Sequence, residues 1–437
     1  MHRRDLSLGL LASAAGSALL MRSAGAQTCT PPCYARTSAE IAAGVTPVDY
    51  AYPPGDVRRY GALGDGSAND APAIQNAIDA APANAAVYLP PNASGQFYKL
   101  NSGLTITKPI RFIGSGPLQT TLYANGFSSG SSVLHVDGTV NPNLEFVEVA
   151  GLTLMSSNNS PDLLKVDRAS NSVFRDVGLR NGRYGLMITG NRTFSNLYER
   201  LICITTPLEA TVRFDNYTGG GHHTFVGCGF GGTYGFIIDA DSSVAGLTLL
   251  SCNFEGTTYE GFYCLGLIQG LNLSGCRFEK CGGYVDVRID PALGKVAFGI
   301  EIHGCYFETD AAQFAVQFAG QGGPVRGFHI SGNYAQDYGS GFVRLNGDGE
   351  SGVVCGNRLQ NVPTVVNVVR NGVLVLNNEN QSGRMGAAWN PALSTQIYTA
   401  SSVTTDRSYD ASATTTAELA NVLGTLIADL KTIGLIQ

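Results

Sequence analysis

The chain has 437 residues, is 44% apolar and 14% charged, and carries 55 glycines and a formal net charge of −6. An average soluble domain is about 25% charged and about 7% glycine. Charge this sparse excludes a coiled coil, the apolar share excludes disorder, and the lack of any Lys/Arg block excludes nucleic acid as a partner.

The chain opens with Arg3 and Arg4, an apolar stretch from Leu6 to Met21, and Ala24-Gly25-Ala26 ahead of Gln27. Residues 1–26 thus read as a secretory signal, with the arginine pair pointing to the twin-arginine route; a general secretory signal is the alternative. The protein is expected to be exported, to the periplasm or beyond. No later run has membrane-spanning length, so no membrane span is expected. Residues 27–55 form a neck segment, in which Cys29 and Cys33 could close a small loop in an oxidising compartment.

A cap follows. Asn69 or Asp70 can start a helix with Pro72 in its first turn, where the missing N–H had no partner anyway. Ile74, Ala77, Ile78 and Ala81 give that helix an apolar stripe, suited to covering the open end of a solenoid. Gly64-Asp65-Gly66 belongs to this cap and is not a phosphate loop.

From residue 225 the sequence repeats. Cys228, Cys252, Cys276, Cys305, Asn333 and Asn357 fall in one column, with gaps of 24, 24, 29, 28 and 24 residues. Two residues on, Phe230, Phe254, Phe278, Phe307, Ala335 and Leu359 form a second column. A fixed period in this range signals stacked repeats, and short β-rich runs between Gly, Asn and Asp signal strands and turns. The predicted fold is all-β: a single-stranded right-handed parallel β-helix over residues 56–385, with an N-terminal capping helix. Cysteine acts here as a small hydrophobe. Parallel side-chain vectors suit a disulfide poorly, so free buried thiols are expected, continued by an asparagine ladder.

Residues 386–437 form a C-terminal extension. Thr415 and Glu418 compose a capping box ahead of an amphipathic helix with Leu419, Val422, Leu423, Leu426, Leu430 and Ile433 on one face. That face is either a lid on the solenoid or the seam of an oligomer, a homotrimer.

The cap also carries a resemblance. Tyr60-Gly61-Ala62, Gly64-Asp65-Gly66, Asp70, Ala73-Ile74-Gln75, Ala77-Ile78, Val87-Tyr88-Leu89-Pro90-Pro91 and Ile113-Gly114-Ser115-Gly116 resemble the N-terminal signature of the pectate-lyase-like superfamily, in its rhamnogalacturonase and polygalacturonase branch. Asn69, Ala71 and Asn92 depart from that pattern. The segments from Arg36 and from Asp406 are similar to the neck and C-terminal end of phage tail-spike proteins. These resemblances imply an exported protein that binds and cleaves a polysaccharide, by hydrolysis or β-elimination. The alternative is a non-catalytic, spike-like adhesin or receptor-binding protein.

Glycoside cleavage calls for two nearby carboxylates. Glu255, Glu279 and Glu308 follow the Phe column at equal offsets, predicting a carboxylate ladder whose mutual repulsion raises at least one pKa. In YVDVRID, Val285, Val287 and Ile289 are expected to point inward, leaving Asp286 and Arg288 outward as further catalytic candidates. Gln317 and Arg344 align beside Arg288 as substrate-binding residues. A lyase would add calcium held by carboxylates; no cofactor is otherwise expected, and no metal-ligand spacing stands out. His222 and His223 follow Gly219-Gly220-Gly221 and read as loop histidines. The Gly-His-Gly and Asn-Thr-Asp elements of polygalacturonase-type enzymes are not present intact.

Overall fold

The computed structural model describes residues 33–205, 209–309, 312–318, 322–347, 350–368, 372–380, 383–385, 402–408, 410 and 414–432. The expected signal segment and Cys29 lie outside these residues. The fold is a right-handed parallel β-helix.

One coil shows how the sequence builds it. Ser243–Leu250, Asn253–Glu255 and Phe262–Cys264 are three strands joined by turns. Each pairs in parallel with its counterpart in the next coil. Alternation places Leu247, Leu249, Phe254, Phe262 and Cys264 inside, because successive side chains of a strand point to opposite faces. The third strands stack into one sheet of ten, running from Leu104–Ile106 to Gly341–Leu345.

The predicted columns are present. Phe254 and Phe278 stack with ring centroids 4.4 Å apart, and Phe278 and Phe307 at 4.9 Å, nearly parallel. Each such buried ring contributes about 1.5–3 kcal/mol. Cys228, Cys252, Cys276 and Cys305 are free and buried at the bend between long and short strands. Cys276 Sγ donates to Leu249 O at 3.4 Å. Asparagine then takes over the same bend. Asn333 Nδ2 donates to Asn357 Oδ1 (2.9 Å) and Asn357 Nδ2 to Asn378 Oδ1 (2.8 Å), while both amides also donate to carbonyls of the core strands. The ladder therefore extends one rung further than the repeat suggested.

At the N-terminal end, helix Ala71–Ala80 lays Ile74, Ala77 and Ile78 on the first coils. Asp70 stands at its N-cap without capping it. Its carboxylate instead accepts from Leu63 N (2.7 Å) and Gly64 N (3.1 Å), locking the preceding loop. Gly64 and Gly66 both adopt positive φ there, and a Cβ at Gly66 would collide with Gln96 Oε1. The upstream segment contributes a short helix, Ser38–Ala42, with a Thr37/Glu40 capping box. Its Glu40 is fully buried and takes Arg59 Nε at 2.6 Å and Tyr60 Oη at 2.9 Å. Cys33 is disulfide-bonded.

Helix Thr416–Thr432 carries the expected capping box, with Glu418 N donating to Thr415 Oγ1 at 3.3 Å and Thr415 N to Glu418 Oε2 at 3.4 Å. One side is tied to residues 402–408: Asp406 N donates to Thr425 Oγ1, and Arg407 pairs with Asp429. Leu419, Leu423 and Leu426 stay about half exposed. Among the described residues no helix is long and apolar enough to cross a membrane.

Candidate active site

The outward face of the ten-stranded sheet concentrates polar chemistry. Register places Thr105, His135, Lys165, Met187, Arg213, Ile237, Tyr263, Arg288, Gln317 and Arg344 in one column across all ten strands. The expected neighbours Arg288, Gln317 and Arg344 are therefore brought together. Gln317 is nearly buried and accepts from Arg344 Nη1 at 3.3 Å.

Two residues beyond this column, a second row marks the edge of the sheet. Asp137, Asp167 and Thr189 stand in register there. Because Phe214 pairs with Ile238, Asp215 and Asp239 become neighbours on successive coils. Asp215, Asp239 and Asp241 each bring a carboxylate oxygen within 4.8 Å of the others. Arg213 organises the group: its Nη2 lies 2.6 Å from Asp239 Oδ2 and 3.7 Å from Asp215 Oδ1. The guanidinium sits over the Tyr184 ring, 4.7 Å from its centroid, and donates to the Tyr184 hydroxyl, which itself donates to Glu209 at 2.9 Å. Burial pushes the Asp239 carboxyl up to about 7; Arg213 pulls against this, while the hydrogen bond and charge of Asp215 and the charge of Asp241 add to it. Burial first, and the neighbouring carboxylates after it, thus bring the Asp239 proton to the edge of neutrality.

Further along the same face, rings and guanidinium groups alternate. Tyr234 stacks with Tyr259 at 5.2 Å and with Tyr263 at 6.0 Å. Arg288 lies over Tyr263 at 5.0 Å and is held by Asp290 (2.8 Å) and Glu260 (3.3 Å). Arg344 lies over Tyr284 at 5.0 Å. From the Asp239 coil to the Arg344 coil is four rungs, or roughly 19 Å at the usual strand spacing. Tyr259 is 50% and Tyr284 48% exposed, so aromatic surface is open to a ligand.

The glutamates stand elsewhere. Glu255, Glu279 and Glu308 are in register as expected, but on the short strands and not on this sheet. Each has a local partner: Asn253 Nδ2 for Glu255 (3.0 Å), Arg277 for Glu279 (2.6 Å) and the Tyr306 hydroxyl for Glu308 (2.9 Å). Asp286 does not face out. It is fully buried and accepts a hydrogen bond from Tyr338, and burial pushes its carboxyl well up. Val285, Asp286 and Val287 are all buried, so the alternation expected of this strand breaks at its start. His223 lies on strand Gly220–Val226 and not in a loop. It is buried against Tyr217 Oη (3.0 Å) and Thr193 O (3.2 Å), and burial depresses it to about 3, so it is a neutral core residue.

Arg213, Asp215, Asp239 and Asp241 were not singled out from sequence. Asp215 and Asp239 are 24 residues apart, one repeat, but the cysteine column that fixes the alignment starts only at Cys228. Asp215, Asp239 and Asp241 could together hold a cation, with the Arg213 guanidinium beside Asp239 Oδ2 as its competitor.

A family profile described as rhamnogalacturonase A/epimerase, pectate lyase-like, matches residues 56–282, just over half of the chain. The chain belongs to this family. The matched span takes in the cap and the coils that carry Arg213, Asp215 and Asp239. No curated protein matches by sequence. Among solved structures, the fold is similar to PfbA, a surface adhesin of Streptococcus pneumoniae, at 14% identity and a TM-score of 0.53, covering 74% of this chain and 91% of that one. It is also similar to ORF18 of Geobacillus virus E2, at 18% identity and 0.49, covering 77% of this chain but only 63% of the viral protein's length. A third is the A-module of the mannuronan C-5 epimerase AlgE6 of Azotobacter vinelandii, at 16% and 0.42, covering 74% and 98%. At these identities the likeness is one of fold.

Proposed function

We propose that this family member is an exported glycoside hydrolase that binds a polysaccharide along the ten-stranded face and cleaves it at Asp239 and Asp215. One observation carries the reading: two carboxylates on adjacent rungs, one held near pH 7, share a single guanidinium on a face lined with open tyrosines. Asp239, protonated near neutrality, donates its proton to the leaving glycosidic oxygen. Asp215, the more open of the two, is the second carboxylate that glycoside cleavage calls for, as nucleophile or as the base that activates water. Arg213 stabilises the carboxylate that Asp239 becomes. Arg288, Arg344 and the tyrosines hold the chain on either side of Tyr263, with guanidinium groups suited to carboxylate or hydroxyl oxygens. The reading places chemistry on the aspartates and leaves the glutamate ladder as a polar edge of the solenoid. No metal enters the scheme.

A polysaccharide panel tests it, read both for new reducing ends and for absorbance of unsaturated uronate. Reducing ends without unsaturation, abolished in Asp239→Asn with binding retained, are expected. Unsaturated products would replace hydrolysis by β-elimination. The exposed tyrosines also support a second reading, a binding-only adhesin, which predicts retained affinity and no products with any polysaccharide. Self-association through the open Leu419, Leu423 and Leu426 belongs to either reading; light scattering of the intact protein counts the subunits.

A further inference from the structure

We propose a second carbohydrate site, on the short-strand face of the first coils, that takes a short acidic oligosaccharide. It shares no residue with the Asp215–Asp239 centre and does not depend on that reading. The loops around residues 91–97 and 117–119, with Met155 and Arg180, line an open cleft of about 600 Å³. That size lies within the roughly 300–1,000 Å³ of small-molecule sites.

Register builds its floor. Met155 and Arg180, which line the cleft, pair on successive coils and project in one column that Tyr123 continues outside the lining. Phe97 lines one wall and packs on Tyr123 with centroids 4.4 Å apart. Asn92 lines another. Its Oδ1 accepts from Thr121 N at 2.7 Å, which fixes the amide and leaves Nδ2 buried without a hydrogen-bond partner.

Arg180 is the second unmatched group. Its Nε is buried with no hydrogen-bond partner. Nearby arginines are treated differently: Arg175 is paired with Glu148 at 2.6 Å and Arg183 with Asp162 at 2.9 Å. Arg180 lines the cleft and is paired with no carboxylate among the described residues, and this cation calls for an anionic oxygen ligand. Phe97 and Met155 call in addition for an apolar face. A uronate residue in a short saccharide offers both, its ring C–H face for Phe97 and its carboxylate for Arg180.

Hydroxyl-radical footprinting of the full chain, read by mass spectrometry at Phe97 and Met155, tests this locally. Trigalacturonate is expected to lower oxidation of both residues several-fold, whereas the neutral maltotriose leaves it unchanged. Arg180→Gln should abolish the protection. Leu118→Glu supplies a variant without folding risk, since Leu118 is 90% exposed on the rim. It places a like charge at the mouth and should weaken trigalacturonate about tenfold at low salt. Asp239→Asn should leave the protection intact, which separates this site from the centre on the ten-stranded sheet. Unprotected Phe97 and Met155 in the folded wild-type chain, equal protection by maltotriose, or an unaffected Leu118→Glu variant would each overturn the proposal.

Discussion

Arg213 and Asp239 belong to successive coils, yet their side chains meet at 2.6 Å, so one guanidinium both neutralises the acid and tunes when it gives up its proton. The β-helix makes such pairs readily, because residues on neighbouring rungs stand about 4.8 Å apart whatever their distance in sequence.

Activity should fall as pH rises through about 7, where the Asp239 proton is lost. Arg213 pulls that pKa down, so Arg213→Gln is expected to move the basic limb of kcat/KM to higher pH while lowering its plateau. A limb that stays in place would assign the titration to another group. Asp239→Asn should cost about 10²–10⁴-fold in turnover, the usual weight of a general acid.

The tyrosines make a separate claim about binding. Tyr259→Ala and Tyr284→Ala remove half-exposed rings from the same face. Each is expected to weaken polysaccharide binding by about 0.5–1.5 kcal/mol, the scale of an aromatic contact, with the melting temperature unchanged. Affinity electrophoresis in the cleaved polysaccharide measures the first quantity and calorimetry the second. A fall in stability without loss of affinity would make the rings packing residues.

The solenoid was legible wherever one side chain must repeat at one tight bend. Cys228 to Asn357 mark that bend and fix the register, so the phenylalanine stack and the Arg288–Gln317–Arg344 row followed from counting. Before Cys228 the same bend carries no repeated residue type, and the 24-residue relation of Asp215 to Asp239 went unread. Asp286 failed for a different reason. Alternation breaks at the start of its strand, where Val285, Asp286 and Val287 are all buried, and the hydroxyl that Asp286 meets belongs to Tyr338, 52 residues away.

The asparagine ladder should be intolerant of apolar replacement. Asn357 Oδ1 accepts from both the backbone and side chain of Asn333, and its Nδ2 donates to Ile330 O and Asn378 Oδ1. Asn357→Leu strands these groups in a dry core, at about 1–3 kcal/mol for each left unsatisfied. Denaturant unfolding should show a shift of several kcal/mol, larger than that of Cys276→Ala, whose thiol donates only weakly.

The Glu40–Arg59 pair gives the cap a pH signature. Burial pushes the Glu40 carboxyl up, but hydrogen bonds from Arg59, Thr37 N and Tyr60 outweigh it and hold the group at about 2, against 4.5 when unperturbed. A depressed carboxylate contributes stability that is complete above the unfolded pKa and is lost as pH falls through the folded one. The contribution is therefore full above about pH 4.5 and gone below about pH 2, on the order of 3 kcal/mol at 1.36 kcal/mol per unit. Glu40→Gln should destabilise the protein at pH 7 by about 3–5 kcal/mol, since Arg59 is left as a fully buried, unpaired charge. The gap between the variant and the wild type should narrow steadily as the unfolding series is taken from pH 5 towards pH 2. Glu40→Gln combined with Arg59→Met, which removes both charges, should recover much of the loss. A gap independent of pH would show that Glu40 acts through its shape and not through its charge.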